Sequence, residues 1–351
     1  MTASRYRGSL GVWLLLLAYA SLYPFFSLRP PPSDWLREFF SFSPRYLVRS
    51  DIAFNVIAYI PLGTLGCLYF GNLPNARFPV SKAVALGAGF SLAMELMQLF
   101  IPNRVSSLVD ITCNTAGTVI GAVAFLWPFY TNITEPLGEA RERLVVPGAW
   151  GDAGLVLLML WFLAQWNPAL PFFGAGNVGV EGRADISILQ WVAVALAICG
   201  FGLFVSALLR DPKGSLRATF VLLSVALWLK FVTASMLLQP HFSEEWLSTG
   251  RIVGLACGLV AFIPLRRLSR SVRIYLGLIT ILAGALLAKI FGAYSPAEEL
   301  VRLFRWPHGQ LGSFATLTRF LHELWPVAAI VFLIGLFFRE RREAAQSKIG
   351  P

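Results

Sequence analysis

The sequence predicts an all-α, polytopic integral membrane protein with about ten transmembrane helices and both termini in the cytoplasm. The composition is the first reason: of 351 residues, 56% are hydrophobic and only 14% are charged, against about 25% charged in an ordinary soluble domain. The mean hydropathy is +0.66, and apolar stretches of about 20 residues, long enough to cross the hydrocarbon core, recur along the chain. These stretches are continuously apolar and do not alternate with a period of two residues, so helices are expected and strands are not.

The first predicted span starts like a signal peptide, with Arg5 and Arg7 before an apolar run. Its apolar character continues through Phe26, which indicates a retained anchor. The full set of predicted spans lies near residues 9–28, 51–70, 80–101, 109–130, 151–167, 186–209, 215–238, 247–265, 272–291 and 318–338.

Residues 131–150 form the longest predicted cytoplasmic loop, and they mix Glu with Arg. This loop divides the chain into three parts. We predict a four-span membrane domain at 1–130, a cytoplasmic linker at 131–150 and a six-span helical region at 151–351.

Basic residues indicate the orientation, because cytoplasmic loops carry an excess of Lys and Arg. With a cytoplasmic N-terminus, a clear majority of the 29 Lys and Arg residues falls on the cytoplasmic side. The formal net charge of +10 therefore mainly reflects orientation and attraction to anionic membrane lipid. A nucleic-acid partner is not expected, because no basic soluble face is predicted.

No cofactor or metal is predicted. The four cysteines (Cys67, Cys113, Cys199 and Cys257) fall inside predicted spans without CxxC spacing. Such cysteines are typical of small buried apolar residues and not of a disulfide framework or a zinc site.

Predicted spans two, three and four each carry a carboxylate and an amide on one face. The pairs are Asp51 with Asn55, Glu95 with Gln98, and Asp110 with Asn114. Residues three or four apart lie on the same side of a helix. In the predicted topology all three pairs lie at the outer side of the membrane, where Arg104 is a natural counter-ion. Because polar groups are costly inside spans, we predict that these seven residues form a ligand-binding pocket.

A structural role is the alternative for the same residues. Asp51 and Asp110 stand where acids stabilise helix N-termini, and amides inside spans often form hydrogen bonds between helices. Convergence of all seven side chains would favour the pocket, whereas dispersal over different faces would favour the structural role.

Small residues predict close packing of the fourth span. Gly117 and Gly121 lie four apart, a spacing that lets helix backbones approach in membranes. Pro61 is expected to loosen the second span, because a proline inside a helix removes one backbone donor.

The order of these residues resembles the VanZ-like family. The resemblance covers about residues 10–130 and rests on the motif Asp51-x-x-x-Asn55, Pro61-Leu62-Gly63, Ser91-x-x-x-Glu95-x-x-Gln98-x-Phe100-Ile101-Pro102-x-Arg104-x-x-Ser107-x-x-Asp110-x-x-x-Asn114-x-x-Gly117-x-x-x-Gly121. It implies a small helical domain of the bacterial inner membrane, named for an accessory protein of glycopeptide (teicoplanin) resistance, with no established biochemical activity. Residues 150–351 lie outside the resemblance.

Three functions are compatible with these residues. The first is a non-catalytic envelope protein that binds an amphipathic or lipid-linked ligand, such as a cell-wall or polysaccharide precursor or a glycopeptide-type antibiotic, through amides and Arg104. The second is a membrane enzyme acting on a lipid-linked substrate, although no catalytic residue can be assigned. The third is a proton-coupled transporter, although the polar motif does not recur in residues 151–338. No protein partner is indicated.

The C-terminal region carries isolated charges within its predicted spans. They are Lys230, Lys289, Arg319 and Glu323, with His322 beside the last. Lys230 could pair with Glu323 or with the carboxylates of the N-terminal pocket. Snorkelling or internal ion pairing is the expected role of each.

Overall fold

The structure is a computed structural model, and it describes residues 3–23, 25, 28–31, 33–40, 49–74, 76–102, 104, 106–124, 128–172, 188–242, 249–291, 297–305 and 311–346. Within these residues the secondary structure is helical, apart from isolated β-bridges between Val145 and Leu209 and between Leu238 and Phe304. The prediction of an all-α fold is confirmed.

The chain divides into two compact units. The first comprises Met1–Gly138 together with Gly309–Leu317, and the second comprises Glu139–His308 together with Thr318–Pro351.

The helices of the first unit begin with a long apolar element and include three helices that carry the predicted polar pairs. They are α1 (Ala3–Leu22), α2 (Trp35–Phe39), α3 (Arg49–Gly71), α4 (Pro79–Gln98), α5 (Leu108–Ala124) and most of α6 (Pro128–Leu144). Pro79 starts α4 directly after Phe78, whose φ of 53° turns the chain sharply into the helix.

Close backbone contact joins α3 and α5. A Cβ at Gly117 would overlap the carbonyl oxygen of Val56, and a Cβ at Gly121 would overlap that of Ile60. On the other helix, a Cβ at Gly63 of α3 would overlap the carbonyl oxygen of Thr118 in α5. The predicted close packing through Gly117 and Gly121 is therefore confirmed, and it brings the polar residues at the starts of both helices side by side.

Pro61 does not interrupt α3, which runs on to Gly71. One turn later, Oγ1 of Thr64 donates to the carbonyl of Gly121 at 3.0 Å, so a side chain beside the proline ties α3 to α5.

The first helix packs inside this unit. The indole Nε1 of Trp13 donates to the carbonyl of Ala58 in α3 at 3.0 Å, and Leu10 and Leu17 are buried with Tyr59 and Leu62. This contact makes α1 part of the same helical bundle as α3, α4 and α5.

The second unit is built around a buried central helix. Its elements are α7 (Ala149–Gln165), α8 (Ile188–Leu208), the short 3₁₀ helix Pro212–Gly214, α9 (Ser215–Leu237), α10 (Thr249–Leu265), α11 (Arg270–Phe291), α12 (Ala297–Val301) and α13 (Leu311–Gln346), whose first residues belong to the first unit. In α8, 72% of the most apolar 18-residue segment is buried inside the protein, against 22–33% of the corresponding segment in the other long apolar helices. Helices α7, α9, α10, α11 and α13 pack around α8 through an apolar core that includes Trp161, Phe201 and Trp325.

Six of the described helices are long and apolar enough to cross a membrane. They are Asp51–Gly71, Pro79–Gln98, Trp191–Leu208, Pro212–Leu237, Arg270–Ile290 and Leu311–Arg342, and three shorter apolar helices cover Leu108–Ala124, Ala149–Gln165 and Gly250–Leu265. The chain is therefore a multi-pass helical membrane protein. Each of the ten predicted spans overlaps a helix, while the number of crossings and the cytoplasmic placement of both termini stay predictions.

Candidate functional site

The three predicted polar pairs occupy the ends of three packed helices. Asp51 lies in the first turn of α3, Asp110 lies in the first turn of α5, and Glu95 and Gln98 lie in the last turns of α4. Because α4 runs antiparallel to its two neighbours along the chain path, its C-terminal end meets their N-terminal ends.

Asn55 and Asp110 bind each other directly. The Nδ2 of Asn55 donates to Oδ1 of Asp110 at 2.6 Å, and both side chains are half-buried. The carboxylate of Asp110 is thus used between helices, in addition to its favourable position near the positive end of the α5 dipole.

Glu95 holds the loop between α4 and α5. Its Oε2 accepts the backbone N–H of Ser107 at 3.0 Å, and its carbonyl accepts the hydroxyl of Ser106 at 2.6 Å. The side chain is only 4% exposed, so a carboxylate sits inside the helix bundle where charged groups are costly. These bonds position the N-terminus of α5 against the end of α4.

Asn114 faces the middle of α4. Its Nδ2 donates to the hydroxyl of Ser91 at 2.9 Å, and its backbone carbonyl accepts the hydroxyl of Thr118 at 2.9 Å. The side chain is 5% exposed, and its Oδ1 has no hydrogen-bond partner among the described residues. A buried amide oxygen without a donor is an unmet acceptor.

Gln98 and Arg104 both bind the end of α1. The Nε2 of Gln98 donates to the carbonyl of Ser21 at 3.1 Å. One terminal nitrogen of Arg104 donates to the carbonyls of Ala20 at 3.3 Å and Tyr23 at 3.0 Å. Carbonyls at a helix C-terminus lack partners within the helix, so these donors satisfy them.

Arg104 also reaches the start of α13. The same nitrogen lies 2.7 Å from the hydroxyl of Ser313, which belongs to the first unit. Burial lowers the pKa of the Arg104 guanidinium, while the neighbouring carboxylate of Glu95 opposes this shift.

The acidic residues of the cluster lie within electrostatic range of one another. Asp110 interacts with Asp51 and Glu95, and Glu95 interacts with Arg104. Tyr59 of α3 lies in range of Glu95 and Asp110. The first unit therefore gathers three acidic side chains, and the Arg104 guanidinium lies in range of one of them, Glu95. This excess of acidic groups favours cations and hydroxyl donors over anions.

The structure places the seven predicted residues in one region of the first unit, but it gives them different partners. Asn55 and Asp110 are bonded to each other. Glu95, Gln98, Arg104 and Asn114 instead bind Ser91, Ser106, Ser107, Ser313 or carbonyls of α1. The sequence did not predict bonds to Ser106, Ser313 and the α1 carbonyls. Most of these partners are distant in sequence, and no pattern of neighbouring residues indicates such a contact.

The pairing of Lys230 with Glu323, one of two possibilities considered for this lysine, is not formed. The Nζ of Lys230 donates to the carbonyl of Asn167 at 2.8 Å, and Glu323 accepts from Nε of Arg319 at 2.9 Å. The expected internal ion pairing holds for Arg319 and Glu323, which are four apart on α13.

Comparison with known protein families identifies a segment of the first unit. The model of the VanZ/LLP1 family matches residues 9–129. No curated protein and no solved structure matches the chain. The matched segment begins in α1, ends before the second turn of α6 and contains all seven polar residues. Residues 9–129 are therefore a VanZ-like domain, carried by a multi-pass helical membrane protein.

Proposed function

We propose that this is a non-catalytic protein of the bacterial inner membrane whose VanZ-like domain binds the polar head group of an amphipathic or lipid-linked ligand at the outer face. The ligand is a cell-wall or polysaccharide precursor or a glycopeptide-type antibiotic. The observation that carries the proposal is the half-buried Asn55–Asp110 pair, which lies in electrostatic range of Asp51 and Glu95.

The chemistry of the cluster favours hydroxyl and amine groups on the ligand. Three carboxylates and several amides can accept and donate hydrogen bonds, while the terminal nitrogen of Arg104 already donates to two carbonyls and a serine. Sugar hydroxyls and an ammonium group match such a set, because a carboxylate binds them through charge-assisted hydrogen bonds. A phosphate group placed against Asp51 and Asp110 would be repelled, so these acids are expected to bind the sugar or amine part of the ligand.

The apolar part of the ligand has a surface beside the cluster. Leu96, Met97 and Phe100, which surround Gln98 in the sequence, are 41–50% exposed. Exposed apolar side chains beside a cluster of acids and amides can bind the hydrocarbon part of an amphiphile.

Native mass spectrometry of the full-length protein in nanodiscs tests the proposal, with teicoplanin and a lipid-linked disaccharide precursor as probes. We expect retention of at least one probe, and a loss of about tenfold in the Asn55→Ala/Gln98→Ala variant. Asn72→Ala is the matched control, since Asn72 follows the other end of α3 and its side chain donates to the carbonyl of Leu68.

Equal retention by the wild type and the double variant would contradict the proposal. Asp51→Asn is a second variant that keeps the size of the side chain and removes its charge. It is expected to weaken binding of the amine-bearing teicoplanin more than that of a neutral sugar, because only the former gains from the charge.

A membrane enzyme is the second candidate, and the burial of Glu95 favours it. A carboxylate that is 4% exposed and in range of Asp110 is the arrangement used for general acid–base chemistry. Turnover of a lipid-linked substrate that is abolished in Glu95→Gln would support this alternative, whereas binding without turnover supports the first proposal.

A further inference from the structure

A cavity of about 380 Å³ lies within the second unit. Its apolar lining comes from α7, α8, α11, α13 and the turn after α7, and it includes Trp161, Phe172, Ile281 and Trp325. These four side chains are 3–6% exposed, so the wall is part of the packed core. The volume is in the lower range of small-molecule sites.

Cationic side chains border the same cavity. Lys289 of α11 and Arg319 of α13 line it together with the imidazole of His322 and the carboxylate of Glu323. Glu323 is occupied by the ion pair with Arg319 at 2.9 Å. Lys289 is exposed and forms no hydrogen bond or ion pair with any residue that the structure describes. The charged lining therefore has a surplus of positive charge.

A buried lysine adds to this charge. Lys230 of α9 is fully buried, and the acceptor of its Nζ is the carbonyl of Asn167, a neutral group. It lies in electrostatic range of His322, which lines the cavity. A buried ammonium without a carboxylate is costly unless an anion comes close to it.

Asn167 fixes the cavity wall in place. Its Nδ2 donates to Oγ1 of Thr318 at 3.0 Å, and its Oδ1 accepts the backbone N–H of Ala169 at 3.0 Å. The turn after α7 is thereby attached to α13, and Trp325 of α13 donates from Nε1 to the carbonyl of Leu157 in α7 at 2.9 Å. The wall is held by polar bonds as well as by packing.

We propose that this cavity is a binding site for a single-chain amphiphile with an anionic head group, such as a polyisoprenyl or alkyl phosphate. The aromatic wall takes the first part of the chain, and Lys289, with Arg319 and the nearby Lys230, attracts the head group. An anion gains more from these cations here than in water, because the surroundings have a low dielectric constant. The site is independent of the polar cluster of the VanZ-like domain, which has the opposite charge preference.

Photo-crosslinking tests the proposal on the full-length protein in phosphatidylcholine nanodiscs. The probe is dodecyl phosphate with a diazirine in its chain, and mass spectrometry maps the labelled peptides. We expect labels within residues 161–172, 281–289 and 319–327. Excess unlabelled dodecyl phosphate should compete, whereas dodecyltrimethylammonium and inorganic phosphate at the same concentration should not.

Two pairs of variants separate the cavity from the surrounding lipid surface. Ala285→Trp fills the cavity and should reduce labelling of these segments about tenfold. Leu286→Trp, whose parent side chain is 51% exposed on the same helix, should leave the labelling unchanged. Lys289→Glu should reduce labelling by a similar factor, and Lys289→Arg should restore it.

Several results would overturn the proposal. Equal labelling of Ala285→Trp and Leu286→Trp would place the probe outside the cavity. Equal competition by dodecyltrimethylammonium would exclude recognition of the anionic group, and competition by inorganic phosphate alone would show that the chain is not bound. Because Lys289 is exposed, Lys289→Glu should fold even if Ala285→Trp does not, and undiminished labelling in that variant would contradict the site.

Discussion

The amide nitrogen of Asn55 lies 2.6 Å from a carboxylate oxygen of Asp110, and this bond joins two helices whose backbones are already in contact. The pair is half-buried, at the ends where α3 and α5 begin. It therefore serves two roles: it fixes the register of the two helices, and it presents a carboxylate with a defined orientation at the edge of the VanZ-like domain.

A double-mutant cycle measures the contribution of this bond. Asn55→Ala leaves the carboxylate of Asp110 without its amide donor, so we expect the free energy of unfolding to fall by about 1.5–3 kcal/mol, as for hydrogen bonds to charged groups. The Asn55→Ala/Asp110→Ala double variant should lose less than the sum of the single losses. Unfolding by SDS titration in mixed micelles provides the values.

The Asn72→Ala/Asp110→Ala pair is the control for that cycle. Asn72 lies at the opposite end of α3 and donates to the carbonyl of Leu68, so its effect should add to that of Asp110→Ala within about 0.5 kcal/mol. If the effects of Asn55→Ala and Asp110→Ala on the free energy of unfolding are additive, the hydrogen bond between the two side chains does not stabilise the protein.

Substitution of Gly121 tests the close contact of α3 and α5. A Cβ there would overlap the carbonyl of Ile60, so Gly121→Ala should lower the free energy of unfolding by about 1–3 kcal/mol through forced separation of the helices. Gly89→Ala in α4, where a Cβ meets no atom within 4 Å, should instead be neutral or stabilise the protein by up to about 1 kcal/mol. Similar effects of both substitutions would contradict the packing.

Arg104→Lys tests the attachment of α1 to the rest of the domain. A lysine cannot bridge the carbonyls of Ala20 and Tyr23 and the hydroxyl of Ser313, because it lacks the planar fork of the guanidinium. Hydrogen exchange of residues 20–23 should become faster, while exchange within α3 stays as in the wild type. Arg77→Lys, at an exposed position, should change neither, and unchanged exchange in Arg104→Lys would show that these bonds do not hold α1.

Lys230→Met tests whether the buried lysine serves stability or binding. The side chain is fully buried with a carbonyl as its acceptor, so an apolar side chain of similar length should raise the free energy of unfolding by about 1–2 kcal/mol. The same variant should be labelled less by the diazirine-bearing dodecyl phosphate probe. Lys82→Met, at an exposed site of α4, is expected to change stability by less than about 0.5 kcal/mol. A less stable Lys230→Met protein would assign the lysine a structural role.

Cysteine labelling tests the predicted orientation. After the four native cysteines are replaced, Asp34→Cys should react with an impermeant maleimide in intact cells, and Lys213→Cys should react only after permeabilisation. Both positions are exposed, so differences in labelling report the side of the membrane. The reverse pattern would place the N-terminus outside, contrary to the excess of basic residues on the predicted inner side.

The tertiary structure changed the interpretation of the polar residues in particular ways. Asp110 was expected as a helix cap or a pocket residue, and it binds an amide on another helix that is 55 residues away in sequence. Gln98 and Arg104 were expected to face the other polar residues, and they bind carbonyls of α1 that are 77–84 residues away. The spacing of residues in a helix predicts which side chains lie on the same face. It does not predict which neighbouring helix contacts that face.

The sequence by itself determined that this is a helical membrane protein, where its long apolar helices lie and which of them carry paired carboxylates and amides. These are local properties, because the length of an apolar run and the spacing of residues on a helix depend only on nearby positions. The sequence did not predict the helix Pro128–Leu144, most of which lies in the expected loop at residues 131–150. Only the tertiary structure decided that Asn55 meets Asp110, that the end of α1 completes the VanZ-like domain, and that Trp161, Lys289 and Arg319 border one cavity. Those contacts depend on how distant helices pack, and packing is set by many side chains together.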